Sequence, residues 1–503
     1  MLHTNRIIIP GPPGTGKTFT LTKYLEKELK EYKTNPKKIA YISFSNAAAD
    51  EAQRRITDNL FHIGTMHSLG SNALGITTQT QLLKGSKWNS FKNYSQVCKD
   101  LSFESRTNEF GYVEYTNPHM KIIEYARSRQ IDIQEAAIEL DLSHSVDLWL
   151  TEQIEADLEI YKNNTKMFEY YNMIADFIKK EKCPSLDAVF LDEAQDLSPL
   201  QWKMFFYIES KCKRSYIAGD DDQTIYTFQG ADPSIFINLK GEVDPQIQSR
   251  RVPKKIHQLA ISIFPYMTNR LEKKWNPRDA EGEIHENVRL DEIDLSEGNW
   301  MILTRTNKML EPIKEYLYGL NLRFSCKNQD LLSDKMLEAF RTWHRLNNGA
   351  SVSQDEVKNL YDYLNYKKGH VKYGFSGGKS LNTIYSADIE TLQSEHGLRV
   401  AGSWELLDFS EESKSYISNL IDSGDDLMKE PRIKISTIHS VKGEECENVI
   451  LYTDITKIIY HSALKDPDPE HRTFFVGITR TKERLYLAEP MQEYQYNIGG
   501  PLV

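Results

Sequence analysis

The chain has 503 residues, of which 40% are hydrophobic and 27% charged, with 26 Gly and 18 Pro. This composition is typical of a folded protein of several domains and excludes collagen-like, low-complexity and disulfide-scaffold proteins. Lysine and arginine total 62 against 72 acidic residues, which gives a formal net charge of −10. An acidic total excludes binding of nucleic acid by bulk positive charge, although local basic surfaces remain available.

The five cysteines lie far apart and form no CxxC pair. The sequence therefore predicts reduced thiols rather than a zinc or iron–sulfur site. No apolar run approaches the roughly 18 residues that a membrane span needs, and the N-terminus lacks a basic-then-apolar signal. We expect an intracellular, cytoplasmic protein without a membrane partner.

The first predicted elements are a buried strand, a glycine-rich loop and a helix. Ile7–Ile9 is an apolar run, and leucines recur every four residues over Leu21–Leu29, as on one face of a helix. Between them, Gly11-Pro12-Pro13-Gly14-Thr15-Gly16-Lys17-Thr18 fits the G-x-x-x-x-G-K-[ST] pattern. In such a P-loop, backbone N–H groups hold phosphates, Lys17 reaches the β- and γ-phosphates and Thr18 ligates Mg²⁺. The predicted ligands are ATP and Mg²⁺.

A second acidic site follows another apolar run. Ala188–Leu191 leads directly into Asp192 and Glu193. Carboxylates at the carboxyl end of a parallel strand lie beside a P-loop in open α/β sheets. Asp192 is predicted to hold Mg²⁺, and Glu193 to orient or deprotonate the attacking water.

Seven further segments form an ordered series of motifs. They are Phe44-Ser45-Asn46, Thr65-Met66-His67-Ser68, Gly219–Asp232, Gln248–Arg251, Thr304–Asn307, Thr437–Glu445 and Val476–Arg480. Together with the P-loop, this series resembles the UvrD/Rep family of superfamily 1 helicases from Ile7 to about Leu487. The resemblance implies an α/β fold of two RecA-like P-loop NTPase domains with parallel sheets, each carrying a mostly helical insertion.

The motif order implies four parts. The predicted parts are domain 1A (residues 1–71 and 181–250), insertion 1B (72–180), domain 2A (251–345 and 430–503) and insertion 2B (346–429). A helical spacing of apolar residues from Leu150 to Tyr161 supports the helices of 1B. The strands predicted in 2A are Trp300–Thr304, Ile433–Thr437, Val449–Tyr452 and Leu485–Ala488.

The resemblance also assigns nucleotide contacts beyond the P-loop. Gln223 is expected to sense the γ-phosphate, and Arg251 and Arg480 to reach it from the second motor domain, where arginines stabilise transition-state charge. Arg250 stands where relatives often carry an adenine-stacking tyrosine, and Glu445 is a candidate ribose contact. The full predicted set is Arg250, Arg251, Gly443, Glu445 and Arg480. No adenine-reading glutamine segment is expected upstream of the P-loop, so base selectivity stays open.

A nucleic-acid track is implied by the same motifs. Its predicted residues are Phe44, Asn46, Thr65, His67, Tyr226, Phe228, Arg305, Asn307, Thr437 and His439. Phe228 would stack on a base, a contact that tolerates any base because every base has an aromatic face. The alternatives are a buried core position for Phe228 and structural roles for His67 and His439.

The predicted function is an ATP-dependent DNA helicase of the kind that acts in repair and replication. It would move 3′ to 5′ on single-stranded DNA and act at single/double-strand junctions; protein partners are not predicted. One alternative is a translocase that strips proteins from DNA without unwinding it, and another is an ATP-gated DNA-binding switch. Tyr494 or Tyr496 would be the strand-separating wedge, or both could belong to a capping tail.

Overall fold

The computed structural model describes residues 5–103, 105–107, 113–327, 331–375 and 385–500. Residues 376–384, in the predicted 2B insertion, lie outside the described residues. The strands are β1 Asn5–Pro10, β2 Ile39–Ser43, β3 His62–Gly64, β4 Ser105–Thr107, β5 Val113–Tyr115, β6 Ala188–Asp192, β7 Arg214–Gly219, β8 Glu242–Val243, β9 Gln248–Pro253, β10 Asn276–Arg278, β11 Glu283–Val288, β12 Trp300–Thr304, β13 Phe324–Ser325, β14 Val352–Ser353, β15 Ser386–Ala387, β16 Ile433–Thr437, β17 Cys446–Leu451 and β18 Thr481–Ala488.

Nineteen α-helices lie in these described ranges. They are α1 Lys17–Lys30, α2 Asn46–Arg55, α3 Met66–Leu74, α4 Thr78–Gln81, α5 Lys87–Tyr94, α6 Pro118–Arg129, α7 Ile133–Glu139, α8 Leu148–Thr165, α9 Tyr170–Lys179, α10 Pro199–Glu209, α11 Pro233–Ile237, α12 Lys254–Ile261, α13 Glu311–Gly319, α14 Asp334–Asn347, α15 Gln354–Tyr361, α16 Ile389–Glu395, α17 Glu411–Asp422, α18 Lys457–Lys465 and α19 Asp468–Ile478. Among the described helices, none combines the length and the apolar character that crossing a bilayer requires.

The first sheet has six parallel strands in the order β3-β2-β6-β7-β1-β8. Its central strands are apolar because both faces are covered, which is typical of parallel sheets; β6 is buried along its whole length. Because these strands are parallel, β1, β6 and β7 end along one edge of the sheet, at Pro10, Asp192 and Gly219. In open α/β sheets this edge is where ligands bind.

The second sheet also has six parallel strands, ordered β11-β18-β17-β12-β16-β13. β12 and β16 coincide with their predicted ranges, whereas β17 and β18 begin earlier than predicted, because the two pair from Cys446 and Thr481 onward. Side chains from both sheets, including Ile217 and Leu451, join one apolar core. The predicted fold class is confirmed.

Two groups of helices have apolar cores of their own. Trp88 and Leu158 lie in a core built from α5 to α8, and Trp343 and Leu420 lie in one built from α14 to α17. Helix α9, which the sequence placed in insertion 1B, instead packs Ile174 and Phe177 into the core beneath the first sheet. The four-part division stays a prediction, but this packing moves α9 towards the first domain.

The segment after β18 folds back onto the second sheet. Tyr496 is 2% exposed, stacks on Phe474 at 4.1 Å between ring centroids, and its hydroxyl is 2.8 Å from Nδ1 of His471. Tyr494 is partly buried and packs 4.9 Å from the ring of Tyr460. Across described residues 489–500, these contacts match a capping tail and not an exposed wedge.

Candidate nucleotide site and nucleic-acid interface

The loop between β1 and α1 has a backbone that only small residues permit. Gly14 and Gly16 have φ of 73° and 87°, in the left-handed region that favours glycine. A Cβ at Gly11 would lie 2.6 Å from Oγ1 of Thr15. Gly16 gives α1 no side-chain cap. The N–H groups of the first turn of α1 are therefore available to a ligand bound over the loop. The loop and helix together form a cradle that fits a phosphate group.

The side chains around this cradle supply a cation and two oxygen ligands. Buried Lys17 donates from Nζ to the Gly11 carbonyl at 2.7 Å. Thr18 donates from Oγ1 to Oδ2 of Asp192 at 2.8 Å, and Tyr41 donates to the same oxygen at 3.1 Å. Burial and the neighbouring Glu193 raise the pKa of Asp192 to about 6. A hydroxyl and a carboxylate oxygen so placed are ligands that Mg²⁺ accepts, and the predicted Mg²⁺ residues thus lie together.

Glu193 holds a charge inside the same site. It has a left-handed backbone, with φ of 55°, which is uncommon for a residue other than glycine and frequent at functional sites. Burial acts to raise its pKa, but the charges of Lys442 and Lys17 outweigh burial and lower it. Glu193 is therefore ionised at neutral pH and able to accept a proton or orient a water.

Gln195 joins the ends of two strands, a role that sequence reasoning missed. Its Nε2 donates to Glu193 at 2.5 Å and to Asp196 at 3.1 Å, while its Oε1 accepts from the backbone N–H of Asp220 at 2.9 Å. One buried amide thereby fixes the loop after β6 against the loop after β7. The available signal was its position two residues after Glu193, at the same strand end.

Arg480 and Gln223 meet across the two sheets. Nη2 of Arg480, which follows α19, donates to Oε1 of Gln223 at 2.9 Å, and Gln223 donates to Oδ2 of Asp220 at 2.7 Å. Arg480 is fully buried, and burial together with the charge of Arg251 lowers its pKa to about 9. Lys442, which the sequence did not select, contacts the Asp196 carboxylate and donates to the Gln223 carbonyl at 2.6 Å.

The segment of β9 lies directly over the P-loop. The backbone N–H of Arg250 donates to the Gly14 carbonyl at 2.9 Å. Arg251 binds Glu445 through Nε at 2.5 Å, so the predicted ribose contact is an ion-pair partner of a predicted catalytic arginine. Gly443 is exposed in the same stretch, with φ of 92°.

Phe19 is an aromatic neighbour of this site that sequence reasoning missed. It follows Thr18 and is 46% exposed. The guanidinium of Arg250 lies 5.6 Å from its ring centroid, and Nζ of Lys23 lies 4.7 Å away. The signal was its place in the first turn of α1, beside the phosphate cradle. The exposed ring and the neighbouring guanidinium are flat groups on which a base could stack.

The predicted track residues fall into two groups. Tyr226 is 1% exposed, stacks on the buried Phe44 at 5.2 Å, and donates its hydroxyl to the His439 carbonyl at 3.0 Å. Thr65 and Thr437 are also buried. The prediction that Tyr226 touches nucleic acid disagrees with this burial, because its ring fills the space between two motif loops.

Other track residues lie at the surface. Phe228 is 52% exposed and meets the His439 ring edge-on at 5.6 Å, which does not fit a core position. Asn46 and Asn307 are exposed, whereas Arg305 is engaged by Glu470 through two bonds of 2.8 and 2.7 Å.

Both predicted track histidines are neutral at pH 7. Burial lowers the pKa of His67 to about 4, and its ring meets Tyr170 edge-on at 5.8 Å. Burial and the charge of Arg305 lower the pKa of His439 well below its usual value. Neither histidine can therefore attract phosphate by charge.

Two family descriptions match the chain. Residues 1–244 match the UvrD/REP helicase N-terminal domain, and residues 352–490 match the UvrD-like helicase C-terminal domain. The chain belongs to the UvrD/Rep helicase family. The predicted resemblance is thereby confirmed.

Curated relatives of this UvrD/Rep chain are distant and longer. F-box DNA helicase 1 of Gallus gallus is 21% identical over 95% of this chain and 47% of its own length. ATP-dependent DNA helicase PcrA of Staphylococcus aureus (strain Mu50 / ATCC 700699) is 22% identical over 71% of this chain and 51% of its own. The chain spans about half the length of the curated relatives it matches.

One solved structure, the arterivirus nonstructural protein 10 helicase, was compared with this chain. The match covers 97% of this chain and 60% of the helicase chain, at 10% sequence identity and a TM-score of 0.32. A similarity this low supports no conclusion, and the fold rests on the sheet topology. Within the UvrD/Rep chain, the P-loop, Asp192 and Gln223 lie in the N-terminal match, and Arg480 lies in the C-terminal match. Arg250, Arg251 and Arg305 fall between the two matches.

Proposed function

We propose that this UvrD/Rep chain is an ATP-driven helicase that moves 3′ to 5′ along single-stranded DNA and unwinds duplex at single/double-strand junctions. The observation that carries the proposal is the bond between Arg480 and Gln223, which joins groups from the two sheets beside the P-loop. A site completed only when two domains meet can couple nucleotide turnover to domain movement. The polarity is supported by the resemblance of the Asp222–Tyr226 segment to the 3′-to-5′ branch.

Each group in the proposed site has a separate task. ATP, when bound, supplies the phosphoanhydride bond whose hydrolysis drives the cycle. The P-loop and Lys17 would hold its phosphates, and Thr18 and Asp192 would hold Mg²⁺. Glu193 would orient and deprotonate water, while Arg251 and Arg480 would stabilise negative charge developing on the transferred phosphoryl group.

The proposed division of labour follows the two sheets. Domain 1A would bind the nucleotide, domain 2A would complete the site, and the two helical cores would be insertions 1B and 2B. Phe228 would stack on a base of the strand, with Asn46 and Asn307 beside the backbone. The buried Tyr226 would instead transmit movement between the motif loops, since its hydroxyl holds the His439 carbonyl. A DNA motor of this kind would work inside the cell, in the cytoplasm.

A second candidate function is a translocase that strips proteins from DNA without unwinding it. The buried position of Tyr496 favours it, because a residue covered by Phe474 and His471 cannot split base pairs. An ATP-gated switch is the third candidate. The ionised Glu193 and the Arg480–Gln223 bond oppose it, because a switch has no need of groups arranged for hydrolysis.

The test compares wild type with Lys17→Ala in three assays. These are ATP turnover with and without single-stranded DNA, unwinding of 3′- and 5′-tailed duplexes, and displacement of streptavidin from biotinylated DNA. The helicase proposal expects DNA-stimulated turnover and unwinding of the 3′-tailed duplex, both lost in Lys17→Ala. Streptavidin displacement without unwinding would identify the protein-stripping translocase. Slow turnover that ignores DNA would identify the switch.

A further inference from the structure

Residues 268–273, which we call the strap, form hydrogen bonds both to α19 and to the loop after β7. At one end, Thr268 donates its backbone N–H and its hydroxyl to the Asp468 carboxylate, at 2.9 and 3.1 Å. At the other end, the backbone N–H of Leu271 donates to Oδ2 of Asp221 at 2.6 Å. The strap therefore links the helix that precedes Arg480 to the loop that carries Gln223.

Three consecutive carboxylates of that loop are buried. Asp220, Asp221 and Asp222 have no exposed surface, and adjacent buried carboxylates repel one another strongly. Nζ of Lys273 lies 2.7 Å from Asp220 and 3.0 Å from Asp222 and also contacts Asp221. Arg270 holds Asp222 through two bonds of 2.9 Å. The strap thus supplies two cations that pair directly with these carboxylates.

Asp220 is the member of this group that reaches the nucleotide site. Its Oδ1 accepts from Lys273 at 2.7 Å, and its Oδ2 accepts from Nε2 of Gln223 at 2.7 Å. Because Nε2 is held by Asp220, the opposite amide atom, Oε1, faces Arg480 at 2.9 Å. A rotated Asp220 carboxylate would release Nε2, and the Gln223 amide could then turn its other end towards the arginine.

We propose that Lys273 is a positioning residue for ATP hydrolysis, holding Asp220 so that Gln223 presents its carbonyl oxygen to Arg480. This inference rests on the proposed function. Among the described residues, the ammonium group of Lys273 pairs with the carboxylates of Asp220, Asp221 and Asp222, so it acts on the nucleotide site through Asp220. The centre of the three carboxylates is filled by its ammonium group, so the cluster serves the lysine and not a metal ion.

The decisive variant separates positioning from charge balance. Lys273→Met combined with Asp222→Asn restores the formal charge of the wild-type cluster but removes the bond to Asp220. We expect a melting temperature and a KM for ATP near those of wild type, because the P-loop is untouched. We expect kcat with single-stranded DNA to fall roughly 10–100-fold, the cost typical of losing a group that orients a functional ligand. The matched control is Lys274→Met, at the exposed neighbour, which should match wild type.

Recovery of wild-type kcat by the double variant would overturn the inference, since Lys273 would then only balance charge. If the double variant melts well below wild type, Asp220→Asn decides instead. It reduces repulsion in the cluster and should fold at least as well, yet kcat should fall to a similar degree; an unchanged kcat would overturn the inference. Absence of turnover in wild type contradicts the proposed function itself, and the positioning role with it.

Discussion

Glu193 is partly buried, and it remains negatively charged because Lys442 and Lys17 face it. In the proposed site its role is separable from nucleotide binding, since the P-loop and Asp192 would supply the groups that hold phosphate and Mg²⁺. We predict that Glu193→Gln binds ATP as wild type does but loses hydrolysis by about 10²–10⁴-fold, the usual contribution of a general base. Fluorescent-nucleotide binding and single-turnover hydrolysis measure the two effects. Hydrolysis at the wild-type rate would show that another group activates the attacking water.

Phe19 and Arg250 form the one described pair of exposed ring and guanidinium beside the P-loop. A base stacked on this pair would be held by its faces, with little reading of its edges. We predict that Phe19→Ala raises KM for ATP by an amount corresponding to about 1–3 kcal/mol of lost stacking, and that GTP is used almost as well as ATP. The control is Phe61→Ala, at a ring that is 44% exposed but lies at the amino end of β2, opposite the site. Equal KM values for both variants would contradict the stacking role of Phe19.

At the scale of elements, the loop between β7 and α11 carries two aromatic residues with opposite positions. Tyr226 is buried under His439 and Phe228 is half exposed. We predict that Phe228→Ala weakens single-stranded DNA binding by about 1–3 kcal/mol and lowers DNA-stimulated ATP turnover, without a change in melting temperature. Fluorescence anisotropy and thermal denaturation measure these quantities. Loss of stability with normal affinity per folded molecule would make Phe228 a packing residue.

The sequence predicts elements well where a local pattern determines them. Apolar runs located β1, β6, β12 and β16, and leucine spacing located α1, because burial on a sheet or helix face leaves a period in the sequence. It does not separate Tyr226 from Phe228, since both are aromatic residues of one loop and their exposure depends on His439, far along the chain. Periodicity likewise does not identify the packing partner of a helix: α9 lies in the predicted range of insertion 1B, yet its apolar face packs into the core beneath the first sheet.

At the scale of the whole molecule, the candidate nucleotide site is held together by contacts between distant segments. Lys442 reaches Asp196, Arg480 reaches Gln223 and the strap reaches the loop after β7. Family resemblance indicated Arg480 but not Lys442, Gln195 or Lys273. These three residues touch other side chains of the site, so their importance follows from three-dimensional proximity and leaves little signal in residue spacing.

Substitution of Arg251 and Arg480 is the strongest test of whether the two sheets form one site. Arg480 is buried against Gln223 and donates from Nη1 to the Glu444 carbonyl at 3.1 Å, while Arg251 binds the side chain of the next residue, Glu445. The two guanidiniums therefore lie beside the same short segment. We predict that Arg251→Ala and Arg480→Ala each lose about 10³-fold or more in hydrolysis rate, the lower range for an arginine that stabilises phosphoryl transfer. The double variant should lose much less than the product of the two, because groups that act as a unit are not additive.

Single-turnover hydrolysis at saturating ATP measures these losses, with melting temperature recorded for each variant because Arg480 is buried. Lys434→Ala serves as a control in the second sheet, on β16. Lys434 binds Glu444 at 2.6 Å but touches neither Gln223 nor the P-loop, so its variant should turn over ATP as wild type does. Fully multiplicative losses in the arginine pair would place the two guanidiniums at separate tasks.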